Sequence, residues 1–417
     1  MGQRVEVGPK SIDDYRGIVG DEVVAEIEER AARLRGARVL HLNATSYGGG
    51  VAEILRSLVP LLRGLGIEAQ WHVLSGDDAF FQLTKSLHNA LQGMATEFTP
   101  ALRQVYLSTL DSNLDIFASD WDYVVVHDPQ PAGLTGILDG RRTGHWIWRC
   151  HIDTSTPSED AIEFLAPYTA AYEVGVFTMP AYVSPSLGLP RVEFVPPSID
   201  PLIPKNQPLP RTLARQVLKQ RFGIAPDRPL MTQVSRFDPW KDPLGVIDAY
   251  RRVREEVPDV QLALVGNMAD DDPEGRTYHA HTVAHAERDP DIHILSTLDR
   301  LSRDDLTHAL EINAFQSGSD VVVQKSTREG FGLVVTEAMW KRAAVVGGRV
   351  GGIVEQIEDG VTGYLVSDPD GCAERVAGLL RDEKARRHMG AAARESVRRR
   401  FLTPRHLSDY LEIFASL

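Results

Sequence analysis

Short unbroken apolar runs alternate along most of this chain with longer stretches whose apolar residues recur at helical spacing. The first run, Arg38-Val39-Leu40-His41-Leu42-Asn43, predicts a buried strand. It hands over through Gly48-Gly49-Gly50 to a helix from Val51 to about Gly64, in which Pro60 is placed to kink the backbone. Further strands are predicted over Ile67–Leu74, Asp122–Asp128, His145–Asp153, Tyr172–Phe177 and Arg191–Val195, with a helix-rich stretch over Ala79–Thr109. Ahead of them, Ile18–Leu34 carries Val23, Val24, Ile27, Ala31 and Leu34 as a helical stripe, in an extension covering residues 1–36. The pattern then breaks. Pro196, Pro197, Pro201, Pro204, Pro208 and Pro210 crowd one short span, where missing N–H donors rule out a sheet interior and predict a linker. Beyond it the alternation restarts at Pro229–Ser235. It continues through Val260–Val265, Ile292–Leu295, Asp320–Gln324, Ala343–Val346 and Gly363–Val366, before a helical end over residues 369–417. Strand–helix alternation on both sides of a linker predicts two open α/β domains, with a cleft where their strand ends face.

Composition narrows the class. A chain of 417 residues with 43% hydrophobic and 25% charged content is ordinary for a globular protein with more than one core. The formal net charge of −13 disfavours a general binder of nucleic acid or anionic membrane, since no overall positive field draws such polymers in. The densest basic run, Arg398-Arg399-Arg400, sits at a predicted helix end and reads as a solvated face. Cys150 and Cys372 stand far apart, with no metal-type spacing, which predicts a reducing cytoplasmic setting. The N-terminal residues lack the apolar core of a signal peptide, and no run reaches membrane-spanning length.

Candidate chemistry gathers at the predicted strand ends. Gly330 and Gly332 lie where the strand Asp320–Gln324 gives way to a helix over Leu333–Trp340, which leaves backbone N–H groups open to an anionic phosphate. Glu329 and Glu337 bracket that turn and can accept from hydroxyls; a solvated glutamate on each side is the plainer alternative. Arg236 and Lys241 follow the strand Pro229–Ser235, where a guanidinium fork and an ammonium suit a diphosphate that gains charge as it leaves. In the first domain, Gly48-Gly49-Gly50 lets a ligand approach the backbone. His151 can bond a sugar hydroxyl or take part in proton transfer, and Asp128 and Asp153 can orient acceptor hydroxyls, or else cap turns. Asp270-Asp271-Asp272 invites a metal-site reading, but consecutive acids in a Pro/Gly loop usually face water, so no catalytic metal is expected. A Gly-x-Gly-x-x-Gly turn is missing after the first strand, which argues against a nicotinamide dehydrogenase, and no Walker loop, zinc motif or nucleophile elbow occurs.

Together, the Glu329/Glu337 pair with seven residues between, the Gly330-Phe331-Gly332-Leu333 turn, and Arg236 with Lys241 resemble the retaining GT-B glycosyltransferases of glycosyltransferase family 4. Four segments are most similar to the trehalose glycosyltransferring synthases: Thr45–Leu55, His127-Asp128-Pro129-Gln130-Pro131, Cys150-His151-Ile152-Asp153 and Asp238–Pro243. Trehalose phosphorylases share much of this pattern. The resemblance covers nearly the whole chain. It implies an acceptor-side domain over 1–210, a nucleotide-sugar domain over 211–400, and a helix over 401–417 crossing back to the first. It further implies that Arg236 and Lys241 hold the donor diphosphate and Glu329 the donor glucose. Backbone N–H groups of Gly330, Phe331, Gly332 and Leu333 would lie near sugar and phosphate, and Glu337 would grip the ribose. His151 would touch the donor sugar, Gly48–Gly50 would close over the substrates, and Asp128 would bind sugar hydroxyls. The implied activity is reversible, metal-independent front-face transfer from ADP-glucose or UDP-glucose to glucose, giving trehalose. A trehalose phosphorylase is the near alternative and a catalytically silent sugar-nucleotide binder the alternative of another class. The implied partners are these small molecules, with no cofactor, nucleic acid or membrane, and a homodimer left open.

Overall fold

The computed structural model describes residues 2–47, 49–266 and 273–417. It divides into two units: Met1–Ser198 with Thr403–Leu417, and Ile199–Leu402. The first holds a seven-stranded sheet in the order β1-β3-β2-β4-β5-β6-β7. Its strands are β1 (Gln3–Arg4), β2 (Arg38–Asn43), β3 (Glu68–Val73), β4 (Tyr123–His127), β5 (His145–Arg149), β6 (Val174–Phe177) and β7 (Val192–Phe194). All neighbours pair in parallel except β1, which runs antiparallel along β3 and which the apolar pattern did not foretell. The second unit holds an all-parallel six-stranded sheet in the order β10-β9-β8-β11-β12-β13. Its strands are β8 (Leu230–Val234), β9 (Gln261–Gly266), β10 (Ile292–Ser296), β11 (Val321–Gln324), β12 (Ala344–Gly348) and β13 (Tyr364–Val366).

Parallel pairing buries both faces of each sheet, which is why the strands read as unbroken apolar runs. In the first unit, Leu40, Leu42, Val124, Val126, Trp146 and Trp148 pack on one side with Phe80, Tyr106 and Phe164 from helices. Alternation sends His41, Val125, His127, Ile147 and Arg149 to the other side. The last helix, Thr403–Ala415, covers that side: Tyr410 lies against His41 with ring centroids 5.9 Å apart, and Phe414 against Tyr123 at 4.8 Å. It also packs on the helices Asp21–Ala32 and Gly50–Gly64.

Three expectations change in detail. The single helix expected over Ile18–Leu34 is two, Arg16–Val19 and Asp21–Ala32, because Gly20 between them takes φ 96°. The strand expected to run to Asp153 stops at Arg149. Asp128 turns left-handed there (φ 63°), and its carboxylate, in place of a ladder carbonyl, accepts from the His151 N–H at 2.8 Å. The proline-rich stretch is no free linker from Ile199 onward. The Asn313 amide donates to the carbonyls of Pro204 and Gln207, and Trp340 donates to that of Asn206.

Candidate active site

Each sheet has one point where successive crossovers leave in opposite directions, between β2 and β4 in the first unit and between β8 and β11 in the second. Loops at the carboxyl ends of such strands diverge and leave a crevice, the usual ligand position in open α/β sheets. The residues singled out from sequence sit on these loops or next to them.

In the second unit the two loops are stitched together. After β8, the Asp238 carboxylate accepts from the N–H groups of Trp240 (3.0 Å) and Lys241 (3.1 Å), folding Pro239–Lys241 into one tight turn. Asp242 then adopts φ 50° and caps the helix Pro243–Glu256 by accepting from the Gly245 N–H. After β11, Lys325 pairs with Asp242, and the Thr327 N–H donates to the Trp240 carbonyl at 2.8 Å. So framed, Lys241 Nζ meets Glu329 Oε2 at 2.5 Å, with the Ser326 hydroxyl donating to the same oxygen at 3.3 Å. Gly332, at φ 82°, opens the helix Leu333–Trp340, and a Cβ there would stand 3.0 Å from Glu329 Cγ. The turn therefore needs glycine both for its backbone angle and for room beside the glutamate.

Arg236 lies on the same loop with its side chain 66% exposed and, among the described residues, a 3.4 Å contact to Asp238, so its fork is accessible. Arg236, Lys241, Lys325 and Arg328 set four cations against the carboxylates of Asp238, Asp242 and Glu329. Among the described residues of these two loops the excess is positive, in a chain whose net charge is −13. Glu337 is placed differently. It is buried, with Oε1 2.6 Å from Lys205 Nζ and Oε2 accepting from the Gln316 amide at 3.0 Å. Burial pushes its carboxyl up, but Lys205 and Lys341 outweigh this and hold it below the usual carboxylate range. Sequence reasoning missed Lys205, Lys325 and Gln356; the last donates to the Phe331 carbonyl at 2.5 Å and so pins the glycine turn. A lysine directly after a strand was a usable signal for Lys325; nothing in the spacing pointed to the others.

In the first unit, Gly49 adopts φ 89° with open space where a Cβ would be, and Gly50 begins the helix after β2. Gly48 and Asp270–Asp272 lie outside the described residues. Asp128 at the end of β4 has its carboxyl raised to about 6 by burial, against the lowering effect of the His151 N–H and Arg149. His151 follows β5, half-buried, its Nε2 3.1 Å from His127 Nδ1. Asp153 lies two residues on and spends one oxygen on the Ser155 N–H at 3.0 Å, an Asx turn.

Residues 41–184 match the family described as trehalose synthase, N-terminal domain, and residues 214–396 that described as glycosyl transferases group 1. The trehalose synthase of Rubrobacter xylanophilus is 51% identical over 100% of this chain and 99% of its own length. That of Pyrococcus horikoshii is 47% identical over 98% and 97%. The chain belongs to the trehalose synthase family. It is an enzyme of the glycosyltransferase type, and trehalose phosphorylases stand further off: that of Pleurotus pulmonarius is 27% identical over 93% of this chain and 58% of its own. Among solved structures, a sucrose-phosphate synthase from Thermosynechococcus elongatus matches with a TM-score of 0.70 at 17% identity, covering 91% of this chain and all of that one. An α,α-trehalose-phosphate synthase from Burkholderia xenovorans, in complex with glucose-6-phosphate, matches at 0.66 and 13%, with the same coverage. At these identities the likeness speaks for the fold, which is that of the GT-B glycosyltransferases. Trehalose synthase membership and the GT-B fold are what the sequence motifs had pointed to, and the described helices include none long and apolar enough to cross a membrane.

Proposed function

We propose that this member of the trehalose synthase family transfers glucose, with retention, between a nucleoside diphosphate and glucose, forming and cleaving trehalose. The observation that carries the reading is the Lys241–Glu329 pair at the switch point of the second sheet, beside the exposed Arg236 and the Gly330–Gly332 turn. Arg236 and Lys241 hold the diphosphate and take up the charge it gains on departure; Glu329 accepts from the glucose hydroxyls. Such a site releases Lys241 from Glu329 to the phosphates when donor arrives, so donor and acid exchange a partner that is already in place. Glu337 binds ribose hydroxyls through oxygen lone pairs that Lys205 and Gln316 leave open. In the first unit, Asp128 and Asp153 orient acceptor hydroxyls, His151 contacts the sugar, and the backbone at Gly49 and Gly50 lies against the substrates.

The transfer runs on one face of the sugar. The glycosidic C–O bond to the diphosphate breaks, positive charge spreads over the anomeric carbon and ring oxygen, and the acceptor oxygen attacks from the side the diphosphate leaves. The departing diphosphate takes the acceptor's proton. No carboxylate is assigned as nucleophile, in contrast to the two-acid arrangement of glycosidases. The positive charge that the leaving group requires comes from Arg236, Lys241 and Lys325, so the reading calls for no metal.

Trehalose incubated with purified protein and ADP, UDP or GDP in turn is expected to yield the nucleotide-glucose and free glucose with at least one of them. Silence with every nucleoside diphosphate would overturn the reading. Glucose 1-phosphate formed from trehalose and inorganic phosphate would replace it with a phosphorylase.

A further inference from the structure

Beneath the candidate site of the first unit lies a polar layer that no step above uses. His41 on β2, His127 on β4 and Arg149 on β5 share one face of the sheet, fixed by the parallel register that pairs Val125 with His41 and His127 with Arg149. The three imidazoles form a chain: His41 Nδ1 to His127 Nε2 at 3.1 Å, and His127 Nδ1 to His151 Nε2 at 3.1 Å. His127 and His151 lie nearly parallel, with 13° between their rings. Each N···N bond takes one proton, so the neutral chain engages both nitrogens of His127 and leaves one nitrogen of His151 outside the chain.

Arg149 is the unusual member. Its side chain is fully buried, and none of its three guanidinium nitrogens finds a hydrogen-bond partner among the described residues. An unpaired buried cation is costly to fold around and is expected where function gains from it. The surrounding groups can all be named. On its own strand and the loop after it are Cys150, His151 and Asp153; on the neighbouring strand, His127 and Asp128; on β2, His41; and on the covering helix, Arg405, His406, Asp409 and Tyr410. Asp128 is turned to the His151 N–H and Asp409 to Arg405, so neither carboxylate neutralises the guanidinium by direct contact. His406 donates its Nδ1 proton to the Pro196 carbonyl, 3.2 Å away. Burial is the first cause that keeps both rings, His127 and His151, far less basic than a free imidazole; next comes His41 and then Arg149 for His127, and Arg149 and then His127 for His151.

We propose that Arg149 is a positioning residue: its buried charge, set among the His41–His127–His151 chain whose hydrogen bonds fix the rings, holds the His151 imidazole uncharged. The site thus receives a neutral hydrogen-bonding nitrogen at the end of β5 and not a cation. For a transfer that develops positive charge at the anomeric carbon, a nearby imidazolium would oppose the reaction, whereas a neutral ring can bond a hydroxyl without that cost. The use to which His151 is put rests on the proposed function; the charge state of His151 does not.

The test is a magnetic-resonance titration of protein carrying isotope-labelled histidine, without substrate, with the His151 signal assigned by its loss in His151→Asn. Between about pH 8 and about pH 5, the span in which an ordinary imidazole changes charge, the parent's His151 is expected to keep the neutral pattern. In Arg149→Met, which removes the charge and keeps the length, His151 is expected to titrate within that span, and Arg149→Lys is expected to restore the parent behaviour. The Arg149→Met protein is also expected to melt no lower than the parent, since it loses an unpaired buried charge; a merely structural arginine would give the opposite. Arg149→Gln supplies the same comparison if the methionine variant does not fold. Superimposable His151 titrations in parent and charge-free variants would overturn the proposal, as would a His151 that is already protonated near pH 7 in the parent. Because no sugar or nucleotide is present, neither outcome depends on whether trehalose is the substrate.

Discussion

Lys241 and Glu329 hold each other at 2.5 Å with side chains 15% and 9% exposed, so each is a close counter-charge for the other before any ligand binds. Removing one alone takes the closest counter-charge from a largely buried group and, on the proposed function, also removes a ligand contact. Glu329→Gln and Lys241→Met are therefore each expected to lower kcat/KM by roughly 100-fold or more, the scale of losing one preorganised electrostatic contact at a reacting centre. The double variant is expected to fall well short of the product of the two losses, because the singles share one interaction. Independent, multiplicative losses in steady-state assays would show that the pair does not act as a unit. Asp128 carries a pH prediction. Burial raises its carboxyl to about 6, and in its proposed role as an acceptor for sugar hydroxyls it acts ionised. The rate kcat/KM is accordingly expected to decline about tenfold per pH unit below pH 6, and Asp128→Asn to abolish that limb along with most of the activity. A flat profile from neutral pH to pH 5 in the parent would remove Asp128 from the machinery.

At the scale of elements, the second unit is tied at the amino ends of its strands, away from the candidate site, through one acid. Asp320, directly before β11, is 8% exposed and meets Arg211, Arg215 and Arg386, while its carboxylate also accepts from the Leu230 N–H at 2.9 Å. Two helices are thus fixed to the sheet through one carboxylate. Burial pushes Asp320 up, but Arg211, the Leu230 N–H and Arg215 outweigh it and hold it below the ordinary value of 3.8. A depressed carboxyl stabilises the fold above the unfolded value and loses that contribution as pH falls through the folded one, so this tie loosens only in strong acid. Asp320→Asn is expected to cost roughly 3–5 kcal/mol, as three arginines lose their buried counter-charge, and to flatten the acid-side decline in denaturant midpoint. Asp320 also marks what sequence could and could not tell. Strands were legible because parallel sheets buried on both faces give continuous apolar runs. The Gly330–Gly332 turn was legible because the φ of 82° at Gly332 demands glycine. Asp320 read only as the first residue of a strand, and Lys205 only as one residue in a proline-rich span, since long-range ion pairs leave no local period. The strand end at Arg149 was hidden for a related reason: the break is made by Asp128 on the neighbouring strand, not by any residue of the run itself.

At the scale of the whole molecule, the chain returns to the first unit for its last residues. Thr403–Ala415 buries His406, Leu407, Tyr410, Leu411, Ile413 and Phe414. Arg405 donates to the Pro196 carbonyl at 2.7 Å and pairs with Asp409 at 2.5 Å, while Glu412 pairs with Arg30 at 2.7 Å. Such burial stabilises by roughly 1.5–3 kcal/mol for each large apolar side chain, so the helix contributes a sum comparable to the whole net stability of a domain. It also closes the face on which His41, His127 and Arg149 lie, and without it that polar layer would meet water. Ending the chain after Leu402 is therefore expected to unfold the first unit preferentially. In hydrogen exchange, amides of β2, β4, β5 and β6 should lose protection, while those of β8, β9, β11 and β12 keep it. Nucleoside diphosphate binding, assigned to Arg236, Lys241 and the Gly330–Gly332 turn, should survive in the shortened protein when glucosyl transfer is gone. Equal loss of protection in both sheets would instead mean that the two units unfold as one. Full protection in the first sheet would mean that the final helix is dispensable to it.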